Sequence, residues 1–188
     1  MSVSVSPYLH GDTKRLLDVA LAAGMLLVAL PLMAAIAVLV LLCDGLPVVL
    51  LQQRVGRCGG VFTMPKFRTM RDEGDRGFQA TSLGKFLRRH RLDELPQLVT
   101  VLRGHMSLVG PRPELVEIVS QYQPRHRRRL LAKPGVTGIW QIMGSRRRRI
   151  HQELRYDLYY LRRATILLDL KVLLRTVPFL FAPGECQT

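Results

Sequence analysis

Two acids stand side by side at Asp93 and Glu94, directly after the basic run Arg88, Arg89, His90 and Arg91. Positive charge of that density keeps an aspartate ionised and draws in phosphates, and an ionised carboxylate can attack phosphorus. Carboxylate and diphosphate repel, so such an attack needs a screening cation; magnesium (Mg2+), a hard ion with a preference for oxygen ligands, suits the task. Asp93 and Glu94 are therefore candidates for the catalytic pair and for metal ligands. Their position alone also allows a purely structural account, with Asp93 capping a helix and Glu94 in its first turn.

Further cations fall at spacings that suit a phosphate chain. Arg112 lies between Pro111 and Pro113 in Gly110-Pro111-Arg112-Pro113-Glu114. The prolines restrict the backbone, so the guanidinium is presented with little entropy loss, and its planar fork matches phosphate oxygens; a rigid turn into a helix would use the same residues. Lys66 and Arg68, two apart on a strand, share a face and can flank one phosphate, or simply face solvent. With Arg88 and Arg91 they complete the candidate phosphate-binding set. The clusters Arg125 to Arg129 and Arg146 to Arg149 suit anionic lipid headgroups, a solvated face or RNA. Trp140 suits an interface anchor or a core position.

The elements that must position these residues follow from local pattern. Val48 to Val55 and Val61 to Thr69 predict a hairpin around the turn Gly56 to Gly60, and Arg71 to Gly77 a mobile loop. Ser82 is expected to cap a basic helix through Arg89, Asp93 to cap the next up to Gly104, and Pro113 to open a third with Glu114 and Glu117 in its first turns. A longer helix is expected from Ile150 to Arg163.

The stretch from Val19 to Cys43 carries no charge and is about 25 residues long, against roughly 20 needed to cross a bilayer core. Basic residues flank both ends: Lys14 and Arg15 before, and Arg54, Arg57, Lys66 and Arg68 after. That symmetry favours both ends on the cytoplasmic side, and Pro31 near the middle should bend the helix. A hairpin dipping into one leaflet satisfies both observations, and a kinked transmembrane helix satisfies the second. Thr165 to Phe181 is a second apolar run, interrupted by Asp169, Lys171 and Arg175, which predicts an amphipathic helix at the interface or against the core.

A net charge of +14, from 28 Lys and Arg against 14 Asp and Glu, implies an anionic partner. The three cysteines form no C-x-x-C pair, which fits a reducing cytoplasmic setting better than a disulfide framework or a zinc site. At 188 residues one compact unit is expected, with residues 1–45 as N-terminal segment and membrane helix and 46–188 as the cytosolic catalytic part.

Five blocks in order, Gln52-x-Arg54-Val55-Gly56, Lys66-Phe67-Arg68-Thr69-Met70, Arg91-Leu92-Asp93-Glu94-Leu95-Pro96-Gln97, Ser107-Leu108-Val109-Gly110-Pro111-Arg112-Pro113-Glu114 and Pro134-Gly135-x-Thr137-Gly138, resemble the bacterial sugar transferases. These are the monotopic polyprenol-phosphate phosphoglycosyl transferases, and the resemblance runs from about Lys14 to about Phe181. It implies a mostly helical α+β fold with a small β-hairpin, interfacial helices and a re-entrant helix-break-helix anchor at Pro31, on the cytoplasmic face of the bacterial inner membrane. It implies transfer of sugar-1-phosphate from a nucleoside diphosphate-sugar to polyprenyl phosphate through a covalent intermediate on Asp93. Glu94 would position magnesium or the incoming phosphate, and Arg112 would hold phosphate. Expected partners are the two substrates, an anionic phospholipid membrane and a second copy in a homodimer, with no nucleic acid.

The chain resembles the minimal catalytic form, and departs from many members at Ser145 after Gly144 and from some at Leu30 before Pro31. Two other classes compete: a membrane-tethered nucleic-acid binder, disfavoured by only 6% aromatic residues for stacking, and a non-catalytic scaffold, disfavoured by the intact Asp93, Glu94 and Arg112.

Overall fold

A computed structural model describes residues 4–143 and 154–181. The apolar N-terminal run forms one helix, α1 (Asp12–Asp44), of 33 residues, ended by Gly45 at positive φ with its N–H on the Leu41 carbonyl. Helical backbone continues through Pro31, where the sequence suggested a break: proline removes one hydrogen bond, and the flanking Leu, Ala and Met are good helix formers. Burial on α1 is confined to its two ends. Lys14, Asp18 and Ala22 are buried near the start and Ile36, Val40 and Asp44 near the end, with no buried residue between Ala22 and Ile36.

The two ends dock on different parts of the core. Ala22 joins Phe62, Met64, Leu98, Val101, Met106, Leu108, Val109 and Tyr160, whereas Ile36 and Val40 join Phe67 and Leu87. Strands β1 (Val49–Val55) and β2 (Val61–Phe67) form the expected antiparallel hairpin, Val49 opposite Phe67 and Val55 opposite Val61, and alternation turns Phe62 and Met64 inward. A second hairpin, β3 (Met70–Asp72) with β4 (Phe78–Ala80), occupies the segment expected as a loop. Its strands are only three residues long, too short for their pattern to reveal them, and the Glu73 N–H on the Gly77 carbonyl closes its turn at 3.0 Å.

Helix α2 (Ser82–Arg89) is capped by Thr81, whose Oγ1 accepts from the Gly84 N–H at 2.9 Å, one residue before the expected cap. Helix α3 (Gln97–Leu102) leads to β5 (Ser107–Val109), which pairs in parallel with β6 (Gly135–Thr137). Between them lie α4 (Val116–Ser120) and α5 (Pro124–Arg127). The helix expected from Pro113 begins only at Val116, because the Val55 N–H bonds the Glu114 carbonyl at 3.0 Å and draws that segment into an extended bridge beside β1.

Helices α6 (Ile139–Met143), α7 (Leu154–Arg163) and α8 (Ile166–Phe181) complete a mostly helical α+β fold with three two-stranded sheets among the described residues. Residues 150–153 of the expected long helix and the cluster Arg146 to Arg149 lie outside the described residues.

Asp169, an interruption in the apolar run by sequence, is fully buried and joins four elements. It accepts from Lys14 Nζ at 2.7 Å, Tyr8 OH at 2.9 Å and Tyr160 OH at 2.7 Å; Lys14 also meets Asp18, which accepts from Ser107 Oγ and the Leu108 N–H. The opposite side of α8 keeps Lys171 and Arg175 in the open beside the exposed Leu167 and Leu174.

Candidate active site

Asp93 and Glu94 sit in a single 3-10 turn, Leu92–Glu94, entered from Arg91 in the left-handed region (φ 56°, ψ 21°). Leu92 and Leu95 anchor this turn against the Phe67 and Leu87 core. The helix-cap account of Asp93 does not hold: α3 starts at Gln97 and its cap position is Pro96. Asp93 is buried without serving as a cap, so the helix-cap reason for an acid here does not apply.

β2 delivers Lys66 and the Gly110–Glu114 segment delivers Arg112, and both reach the same oxygen of Glu94 at 3.4 Å. Arg54 from β1 joins them: Arg54, Met64, Lys66, Glu94, Gln97, Arg112, Pro113, Gly135 and Val136 line one cleft. Close backbone crossing makes this possible. A Cβ on Gly110 would lie 2.4 Å from the Lys133 carbonyl and one on Gly135 only 2.1 Å from the Gly110 nitrogen, so the two motif glycines let the Arg112 segment lie against β6.

A buried arginine holds the same segment from behind. Arg129 donates to the Arg112 carbonyl at 3.1 Å, to Glu114 at 3.1 Å and to Tyr122 OH at 2.8 Å, and pairs with Asp157 at 2.9 Å. Sequence grouped Arg129 with a lipid-facing cluster; it is a core residue, and Arg125 and Arg127 are the exposed members. Trp140 is half-buried next to the site, with the Arg112 guanidinium 5.9 Å from its ring centre.

The charges perturb one another. Burial and the adjacent Glu94 raise the Asp93 carboxyl above the usual aspartate range, with Lys66 and Arg88 opposing. Burial also pushes Glu94 upward, but Arg112, Lys66 and Arg91 together outweigh it and leave Glu94 below the usual range. Burial lowers Lys66 and Arg54, and Arg112 adds to both shifts. Three cations crowding one anion in a half-buried cleft is an arrangement that further negative charge relieves.

Of the sequence candidates, Asp93, Glu94, Lys66 and Arg112 converge, with Arg88 and Arg91 in electrostatic range of the acids. Arg68 is directed elsewhere. β2 ends at Phe67, so the two-residue period stops there, and Arg68 donates to the carbonyls of Leu46 at 2.5 Å and Met70 at 3.1 Å. In the sequence Arg54 is a flanking charge and a member of the first motif block, and Gln97 a member of the third, with no site role assigned to either. Both line the cleft, and Arg54's place on the same hairpin as Lys66 was the available signal.

Among the described residues no three His, Cys, Asp or Glu side chains gather as a metal cage. Two adjacent carboxylates nevertheless fit magnesium, which keeps several waters and takes few protein ligands beside substrate phosphates.

The bacterial sugar transferase family profile matches residues 9–183. The chain belongs to this family. Among curated relatives, the chain is 39% identical to the uncharacterized sugar transferase EpsL of Bacillus subtilis, over 93% of its own length and 91% of that protein. It is 33% identical to the exopolysaccharide production protein ExoY of Sinorhizobium fredii, over 89% and 85%. It is 39% identical to the UDP-glucose:undecaprenyl-phosphate glucose-1-phosphate transferase of Xanthomonas campestris, over 87% of the chain and 37% of that longer protein. The chain also spans under half, 44%, of the galactosyl transferase CpsE of Streptococcus agalactiae. The matched region holds both the acids and the cleft cations, so the family relation extends over the whole candidate site.

Proposed function

We propose that this sugar transferase moves a sugar-1-phosphate from a UDP-sugar onto undecaprenyl phosphate in two steps on Asp93, feeding exopolysaccharide or related glycan assembly. The names of the Xanthomonas relative and of an undecaprenyl-phosphate galactose phosphotransferase of Salmonella typhimurium, 35% identical over 87% of the chain, support the substrate classes. The observation that carries the chemistry is a buried aspartate without a capping role, next to a glutamate held by Lys66 and Arg112.

In the first step a carboxylate oxygen of Asp93 attacks the sugar-bearing phosphorus. A P–O bond forms, the bond to the bridging diphosphate oxygen breaks, and UMP leaves with that electron pair. In the second step an oxygen of the polyprenyl phosphate attacks the same phosphorus, the aspartyl P–O bond breaks, and Asp93 is restored. Phosphoryl transfer of this kind depends on positioning and charge screening, and Arg54, Lys66 and Arg112 offer both toward a diphosphate. Asp93 and Glu94 would hold magnesium, which when bound supplies further charge neutralisation.

A lipid acceptor requires the site to sit at a bilayer. The middle of α1 exposes Leu27 and Val28 at 71% and 80%, and α8 exposes Leu167 and Leu174 beside Lys171 and Arg175. We assign α1 as a re-entrant helix bent at Pro31, because its ends dock on the body and its middle does not, with the body on the cytoplasmic face of the inner membrane.

The test is UMP release by purified protein in lipid particles from a panel of UDP-sugars, with magnesium and undecaprenyl phosphate. Release that needs the lipid and disappears in Asp93→Asn is expected, together with a sugar-phosphate mass adduct when the lipid is withheld. Folded protein that releases UMP from no donor would reject the reading.

A further inference from the structure

Gln97 is the first residue of α3, only 3% exposed, and lines the cleft together with Arg54, Lys66, Glu94 and Arg112. Its carboxamide has no hydrogen-bond partner among the described residues, while Lys66 and Arg112 beside it are engaged with Glu94. An amide that opens onto a cleft without a protein partner is completed there by water or by a ligand.

We propose that Gln97 is a sugar-binding residue, whose carboxamide bonds hydroxyl groups of the sugar being transferred. The inference rests on the functional reading above. Phosphate oxygens only accept hydrogen bonds, and three cations already serve them in this cleft. A carboxamide both donates and accepts, so it is matched in full only by a ligand group that does the same, as a sugar hydroxyl does. The sugar is esterified to the very phosphorus that Asp93 attacks, whereas the nucleobase is separated from it by a further phosphate and the ribose. Gln97 is four residues from Asp93 and shares the cleft wall with Glu94, which places it with the sugar end of the donor. Sites that hydrogen-bond a substrate hydroxyl discriminate strongly against ligands that misplace it.

The chain has one tryptophan, Trp140, beside Arg112, so its fluorescence can report donor binding to the full-length protein in lipid particles. Titrations with UDP, UDP-glucose, UDP-galactose and UDP-N-acetylglucosamine are compared for wild type, Gln97→Met and Gln97→Asn. Gln97→Met keeps the length and volume of the side chain and removes its hydrogen bonds. The expected result is UDP binding within about twofold of wild type, which also reports an intact cleft, and a UDP-sugar to UDP ratio of Kd values raised about five- to tenfold for at least one sugar. Gln97→Asn should give an intermediate ratio. Ratios unchanged for every sugar, or UDP weakened as much as the UDP-sugars, would overturn the assignment. Failure of wild type to bind UDP at all would instead overturn the functional reading, and the sugar contact with it.

Discussion

The neighbouring acids titrate in opposite directions from their usual ranges, and this sets the pH dependence of the chemistry. Asp93 must be ionised to attack phosphorus, and burial with Glu94 holds its carboxyl above the ordinary range. Activity is therefore complete above that raised value and is lost as pH falls through it, so the acid limb of kcat should lie at higher pH than a solvent-exposed aspartate would give. Glu94→Gln deletes one of the two raising influences, and the limb of the residual activity should move to lower pH; a pH profile of UMP release in both proteins checks this. An unshifted limb would separate Asp93 from the rate. Asp93→Asn should cost on the order of 10^4-fold or more in kcat, as removal of a nucleophile does. It should also raise the unfolding temperature at neutral pH, since a carboxyl whose folded-state value is raised destabilises the fold while ionised. Gain of thermal stability with loss of turnover is the combination that distinguishes a functional acid from a structural one.

At the scale of elements, the outcome depended on how local each signal was. The β1–β2 hairpin was legible because alternation brackets a glycine-rich turn, and α1 because twenty-odd uncharged residues have few alternatives. The roles of Asp169 and Arg129 were not, because their partners lie far along the chain: Lys14 for one, and Glu114 and Asp157 for the other. A charge in an amphipathic run or a basic cluster reads as solvated until the elements that close over it are known. The acids are legible from their basic surroundings, yet the cap geometry is wrong, since the helix starts at Gln97, three residues beyond the Glu94 that an Asp93 cap requires. Arg129 now makes a prediction of its own. Arg129→Met leaves Glu114 and Asp157 buried without their cation, at a cost of about 3–5 kcal/mol, and releases the carbonyl of Arg112. Denaturation of the protein in lipid particles should show that loss. Arg129→Lys should recover part of the stability and less of the turnover, because an ammonium cannot reproduce a planar fork that spans Glu114, Asp157 and the Arg112 backbone.

At the scale of the whole molecule, a cleft lined by cations is joined to a helix whose middle, from residue 23 to 35, has no buried residue among the described residues. Exposure of Leu27, Val28 and Leu30 costs free energy in water, at about 25 cal/mol per Å² of apolar surface, and a bilayer removes that cost. A helix that spanned the membrane would carry its two ends to opposite sides, yet Lys14 and Asp18 at one end bond Asp169, Ser107 and Leu108, while Asp44 at the other bonds Thr81 and Arg71. Both sets of partners belong to the part of the chain that follows α1, so a re-entrant path leaves both ends on the side that holds the active site. Cys43 is exposed near the second end and Thr13 near the first. With Cys58 and Cys186 changed to serine, one protein retains Cys43 and a second carries Thr13→Cys with Cys43→Ser. A membrane-impermeant maleimide should label both in inverted membrane vesicles and neither in intact spheroplasts. Labelling of the two positions from opposite faces would establish a spanning helix, and the packing of its two ends on one body would then need a different structure in the membrane.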